Sequence, residues 1–294
     1  LTGEPLTLAQ QAPIEAALAP LRAAHGREAL SEWTFSNLYL FRHVHGWRLV
    51  PGDWPAVVGR GYDGAPLVLP LFDIARAPQA ALRTLAPPPA RLYPVSDRQA
   101  AALDLRRFDV QAWDGDADYV YDAQAFIDYA GRPLASRRSQ LRQFTAACLP
   151  HSRPFGEDRV ADCRHVLAQW MAQKGKAGGE ADESPCLEAL QHARAFGLRG
   201  FVHWVDGAPA GFVLGQALAP GVQAIRFAKG LDRHVGLYPF MFRHFCMNFE
   251  AQFGEPVRWL NFEQDMGLPG LRRSKRSYAP AALLAKRRLA PLAH

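Results

Sequence analysis

The sequence predicts a mixed α+β protein built as two α/β domains, and three observations carry that prediction. The chain has 294 residues, 49% of them hydrophobic, which suffices for two domains of the usual size of about 100–150 residues. Its apolar runs are short and change between strand and helix periods. One order of elements, helix, meander, helix and strand, occurs twice without evident sequence identity, and a topology used twice implies a structural duplication. The join falls near 129–134, giving domains at 1–131 and 132–294.

In the first copy, apolar spacing predicts a helix over 10–24, followed by the aromatic segment Trp33–Phe41. Extended segments at 47–50, 56–59 and 66–71 are separated by Gly-Asp and Gly-Tyr-Asp-Gly turns and read as a meander. A helix over 77–85, a strand over 91–94, a helix over 97–103 and a hairpin of 108–113 with 119–121 complete the copy. A linking helix follows, with Leu134, Leu141, Phe144 and Cys148 on one face and Arg138 and Arg142, four apart, on another. The second copy has helices over 162–173 and 185–196, then strands over 198–205, 210–218 and 223–231 broken by Asp-Gly and Pro-Gly turns. A long helix over 236–253 carries Tyr238, Phe242, Phe245 and Phe249 at helical spacing. A strand over 257–261 and a short helix over 268–275 close the pattern.

The formal net charge of +6 is local. From Met266 to His294 there are seven Lys/Arg and no Asp/Glu, which leaves 27 basic and 28 acidic residues elsewhere. A second acid-free stretch, Gly131–Gly156, carries Arg132, Arg137, Arg138, Arg142 and Arg153. Two such patches fit phosphate-bearing partners such as coenzyme A, RNA or an anionic lipid headgroup, or else solvated helix faces. No apolar run reaches the roughly 18–20 residues of a membrane span, and the start lacks the pattern of a signal peptide, so the expected compartment is the cytoplasm. The four cysteines form no metal pattern and read as buried thiols, and His43-x-His45 lacks further ligands nearby, so neither a metal nor a tightly bound cofactor is expected.

Two segments carry the chemistry. Strand 223–231 ends in Asp232-Arg-His-Val-Gly-Leu-Tyr-Pro-Phe240 and leads into the long helix, whose exposed first N–H groups form a natural phosphate cradle. Arg233-x-x-Gly236 resembles the pyrophosphate-binding loop of the GNAT acyltransferase superfamily. It departs at Tyr238, where that loop has glycine or alanine and where a phenol would crowd a pyrophosphate. The first copy has no counterpart, since Phe72–Pro78 contains no glycine, and reads as a structural or acceptor-shaping domain.

The second segment runs Asn261-x-Glu263-x-Asp265-x-Gly267-x-x-Gly270-Leu-Arg272-x-x-Lys275-x-Ser277-Tyr278. With Phe35–Phe41, Asp118–Tyr121 and 131–144, it resembles a bacterial family of mostly uncharacterised proteins similar to the C-terminal domain of phosphatidylglycerol lysyltransferase. The resemblance implies a tandem GNAT fold with central mixed sheets. It also implies kinship with enzymes that move an aminoacyl group from aminoacyl-tRNA onto lipid headgroups or peptidoglycan peptides. It departs at Arg137-Arg138-Ser139, where the family has a lysine-arginine-asparagine run.

Acyl transfer to an amine needs a base, oxyanion stabilisation and a proton for the leaving group. Glu263 is the expected base and Tyr278 a candidate proton donor, with a buried aromatic as the alternative. Asn261 and Asp265 are candidates for orienting substrate, although Asp265 fits better as a helix cap. Lys229, Arg233, Gly236, Arg272, Arg273, Lys275 and Arg138 are expected to hold donor phosphates. The leading expectation is an aminoacyltransferase using aminoacyl-tRNA and an amine or hydroxyl acceptor. An acyl-CoA-dependent N-acyltransferase and a non-catalytic module for RNA or anionic lipid are the alternatives.

Overall fold

The structure, a computed structural model, describes residues 3–292. The chain opens with β1 (Glu4–Pro5), α1 (Gln11–His25), α2 (Phe35–Leu40) and α3 (Arg42–His45). The expected meander follows as β2 (Arg48–Val50), β3 (Ala56–Arg60) and β4 (Pro66–Pro70), then α4 (Gln79–Leu85), β5 (Arg91–Ser96), α5 (Asp97–Ala101) and β6 (Phe108–Ala112). Next come β7 (Asp118–Asp122), α6 (Ala123–Asp128), the linking helix α7 (Ala135–Ala147), β8 (Pro150–Pro154), α8 (Val160–Gln173) and α9 (Glu183–His192). The second meander is β9 (Arg199–Val205), β10 (Ala208–Ala219) and β11 (Val222–Gly230), followed by α10 (Leu237–Phe253) and β12 (Trp259–Asn261). The chain ends in α11 (Pro269–Arg276), β13 (Ala282–Leu284) and β14 (Lys286–Pro291).

These elements form two seven-stranded mixed sheets, ordered β1-β2-β3-β4-β5-β14-β6 and β13-β7-β12-β11-β10-β9-β8. The duplication is visible in the pairing. In each sheet an antiparallel meander ends on a strand that pairs parallel with the next, β4 with β5 and β11 with β12. An antiparallel strand then follows, and that strand is exchanged. The first sheet receives β14 from the end of the chain, between β5 and β6, and the second receives β7 from the first half, beside β12.

Two expectations change as a result. The stretches 108–113 and 119–121 do not make a hairpin, because β6 pairs with β14 and β7 with β12. The chain divides into one compact unit ending at Asp118 that takes back Gln264–Arg272 and the segment from Leu283, and a second of Tyr119–Glu263 and Arg273–Ala282. The expected boundary at 131/132 lies inside the second unit, between α6 and α7.

In the first unit, Leu289 of β14 packs with Val68, Ile74, Leu82, Leu92, Val95 and Phe108. The same strand buries Lys286, whose ammonium bonds Asp118 (2.6 Å) and Glu32 (2.7 Å), and Arg288, which pairs with Asp116 (2.8 Å) and Asp63. A strand reading Lys-Arg-Arg-Leu lies inside a sheet because each buried cation meets carboxylates there. In the second unit, α10 lays Met241, Phe242, Phe245 and Phe249 on the sheet. An aromatic nest of Tyr121, Phe126, Tyr129, Phe242, Phe262 and Tyr278 fills the space beside it. Cys163, Cys186 and Cys246 are buried free thiols, as their spacing implied, and Cys148 is half-buried.

Candidate functional site

The opening in the second sheet arises from how β12 ends. β11 and β12 pair only over Val222–Ala224 with Trp259–Asn261. Beyond Asn261 the chain stays with β7: the Phe262 N–H donates to the Tyr119 carbonyl (2.8 Å) and the Tyr119 N–H to the Glu263 carbonyl (3.2 Å). Meanwhile β11 continues through six more residues to Gly230. Parting strands expose an edge at their carboxyl ends, where open α/β sheets bind ligands.

Glu263 stands at this mouth in a strained conformation, with φ of 58°, a left-handed value that costs a non-glycine residue about 1 kcal/mol or more. Besides the Tyr119 N–H, the neighbouring side chains hold it. Its N–H donates to Asn261 Oδ1 (2.7 Å), and the Lys275 ammonium donates to the carbonyls of Phe262 (2.5 Å) and Glu263 (3.1 Å). So held, the Glu263 carboxylate pairs with the Arg226 guanidinium of β11, the first side chain but one past the last β11–β12 rung. Arg226 also donates to Gln216 Oε1 (3.0 Å), and Gln216 to the Phe196 carbonyl (3.0 Å).

A second ion pair lies three residues along β11. The Lys229 ammonium sits 3.8 Å from the centre of the Trp170 ring of α8 and bonds both carboxylate oxygens of Asp182 (2.6 and 2.8 Å), at the start of α9. Arg226, Asp182 and Trp170 were not singled out from the sequence. Their signal was Arg226 and Lys229 themselves, two cations inside an otherwise apolar strand, which require buried or half-buried anions.

The residues expected to hold phosphate are mostly engaged elsewhere. Lys275 is buried on its two carbonyls, and Lys229 on Asp182. Arg272 makes a two-pronged bond to Asp265 (2.7 and 3.1 Å). Arg138 donates to the carbonyls of Tyr129 and Gly131 (the latter at 3.2 Å). Of the remaining two, Arg233 is exposed and touches Gln169 (2.9 Å), and Arg273 is exposed on α11. Of the seven cations after Met266, Lys286, Arg287 and Arg288 also pair with carboxylates. Five of the seven are thus held by carboxylates or carbonyls, and Arg273 and Arg276 remain exposed on α11.

Asp265 is fully buried, and its Oδ1 accepts the Gly267 N–H (2.8 Å), which closes a turn two residues before α11 begins at Pro269 rather than capping the helix itself. Asn261 is likewise fully buried at the strand end. Tyr278 is stacked on Phe126 and lies under the Arg137 guanidinium, 4.8 Å from its ring. Burial pushes its phenol well above the ordinary range despite Arg137, so it stays protonated and packs as an aromatic.

At the entry to α10 the chain packs tightly against α7. Gly236 has φ of 96°, and a Cβ there would lie 2.3 Å from the Gln140 carbonyl of α7. Only glycine permits that approach. The Tyr238 hydroxyl folds back to accept the Gly230 N–H at the end of β11 (3.1 Å), and burial pushes its phenol up to about 12. A phenol and the α7 backbone thus pack beside the start of α10.

The family model described as phosphatidylglycerol lysyltransferase, C-terminal, matches residues 24–287. No curated protein matches the chain. Among solved structures, a conserved protein of unknown function from Bacteroides thetaiotaomicron VPI-5482 superposes with a TM-score of 0.78 at 22% identity, covering 97% of this chain and 98% of that one. L-PGS from Bacillus licheniformis gives 0.60 at 14% identity, covering 100% and 94%. A structure of FemX gives 0.60 at 10% identity, covering 98% and 96%. At these identities the likeness is one of fold, and the fold is tandem GNAT-like. Among the described residues no helix is long and apolar enough to cross a membrane.

Proposed function

Because the chain belongs to the phosphatidylglycerol lysyltransferase C-terminal family, we propose that it is an acyltransferase that takes an aminoacyl group from aminoacyl-tRNA and delivers it to an amine or hydroxyl acceptor. The observation that carries this reading is the parted β11–β12 edge with Glu263 strained across it onto Arg226. Strain of this kind persists only where surrounding contacts over-determine it, and it clusters at working sites. Glu263 is assigned the proton transfer from the attacking nucleophile, and Arg226 holds its carboxylate in place.

The donor assignment rests on α10. A coenzyme A donor needs its pyrophosphate at the helix start, and the reading is supported by Tyr238 and the α7 backbone packed beside that start, where a phenol crowds a pyrophosphate. An ester on the end of a tRNA makes no such demand, and the names of L-PGS and FemX belong to the structures this fold resembles. The exposed Arg233 and Arg273 are assigned to donor phosphates, and the first unit to shaping or supporting the acceptor side.

The test is single-turnover transfer with charged tRNA and, in parallel, with acetyl-CoA. Transfer is expected from tRNA only. Glu263→Gln should lower the rate by about 100-fold or more, the usual scale of a lost general base, with the affinity for charged tRNA kept. Full activity in that variant removes Glu263 as the base, and efficient use of acetyl-CoA overturns the donor assignment.

A further inference from the structure

The contacts around Glu263 act on one backbone torsion. In an extended strand successive carbonyls point to opposite edges, yet those of Phe262 and Glu263 meet on a single ammonium, that of Lys275 (2.5 and 3.1 Å). They converge because Glu263 has turned left-handed, at φ of 58°. A cation that takes both carbonyls therefore favours the turned backbone over the extended one. Asn261 Oδ1, on the Glu263 N–H (2.7 Å), works in the same direction.

That torsion decides where the carboxylate goes. Residues two apart in a strand share a face, so an extended residue 263 would lie on the face of Asn261, whose side chain is fully buried. The left-handed turn brings the carboxylate to Arg226 instead. Lys275 is itself held in the last turn of α11, buried, with its ammonium 5.7 Å from the centre of the Tyr119 ring and its carbonyl accepting the Tyr121 hydroxyl (2.8 Å). Both tyrosines belong to β7, the strand along which the chain runs through Asn261 to Glu263. The lysine and the backbone it holds thus share one framework. Resting on the transferase reading above, we propose that Lys275 is a positioning residue rather than a phosphate ligand: it acts through the backbone of Glu263 and aims the carboxylate that takes the proton.

The test is a double-substitution cycle on the full chain, read as single-turnover transfer from charged tRNA. The acceptor is whichever of two probes the unaltered protein acylates, a lysyl peptide with a free amine or vesicles of phosphatidylglycerol. Lys275→Met, which removes the ammonium at nearly constant shape, is expected to slow transfer at saturating donor by about tenfold or more, part of the roughly 100-fold loss that a missing general base brings. The Kd for charged tRNA should stay unchanged. Lys275→Gln, whose amide still donates, should recover part of the rate, and it carries the cycle if the methionine variant does not fold. Added to Glu263→Gln, either substitution should slow transfer no further, because the lysine acts only through that side chain. A raised Kd with the rate kept would return Lys275 to phosphate binding, and additive losses in the double variant would place its effect elsewhere; both overturn the positioning role while leaving the transferase standing. If the unaltered protein acylates neither probe, the transferase reading falls, and the crystal structure of the Lys275 variant still decides the lysine. A residue 263 turned back to negative φ and parted from Arg226 upholds the role, and a left-handed Glu263 still on Arg226 overturns it.

Discussion

At the scale of single residues, the site depends on side chains whose roles only their partners reveal. Glu263 and Lys275 stood out in the sequence as a base and a phosphate ligand; in the structure Lys275 spends its charge on two carbonyls that hold Glu263 in its left-handed turn. A lysine that supports a strained backbone and one that binds phosphate look alike in sequence. A buried histidine and its half-buried neighbour make a second residue-scale point. His203 bonds Ser152 (2.8 Å) through Nδ1, leaves Nε2 without a partner, and lies beside His244. Burial lowers His203 well below 6.5 and takes His244 to about 4. In the unfolded chain both bind protons near 6.5, so the unfolded state gains protons first on acidification, and stability falls as pH drops from about 6.5 toward 4. His244→Phe should flatten that slope by about 1–2 kcal/mol, less than the full shift at about 1.4 kcal/mol per pKa unit because solvent screens a half-buried ring. Urea titrations at pH 7.5 and 4.5 would check this, and an unchanged slope would assign the acid sensitivity to other groups.

At the scale of elements, the amphipathic helices and the two meanders were legible because burial on one face imposes a period on the sequence. β14 was not. Its buried positions carry Lys286 and Arg288, so it lacks the apolar alternation of a core strand. Burial alone would lower the Lys286 ammonium, but Asp118 and Glu32 outweigh it and hold it above its ordinary value. Removing the cation leaves both carboxylates buried without the ammonium, though Ser31 and Tyr93 still donate to them. Lys286→Met is therefore expected to cost about 3–5 kcal/mol, read as a lowered denaturation midpoint. The triple variant with Glu32→Gln and Asp118→Asn should recover much of the loss. A Lys286→Met protein as stable as the parent would show that the network does not hold β14.

At the scale of the whole molecule, the duplication and the exchange of β7 and β14 are separate facts. The first is a local pattern read twice, whereas the second joins residues far apart in the chain, as in the pairing of Arg287 with Val95 and of Leu260 with Tyr121. A consequence follows for fragments. A chain ending at residue 131 contains the whole first copy as the sequence delimits it, yet lacks the strand between β5 and β6 and the cations for Glu32, Asp116 and Asp118. It is expected to show no cooperative unfolding by circular dichroism, while the full chain does. A cooperatively folded fragment would mean that β5 and β6 can pair without β14.

What the sequence by itself determined is what depends on near neighbours: the helices, the meanders and the repeated order. These are set by periodicity and turn chemistry, both of which act within a few residues. Tertiary structure alone decided the exchanged strands, the packing of Tyr238 and α7 at the start of α10, and the pairing of Arg226 with Glu263 and of Lys229 with Asp182. The physical reason is that a charge takes its meaning from its counter-ion, and the acids that neutralise Lys286 and Arg288 lie some 170 to 250 residues away in sequence.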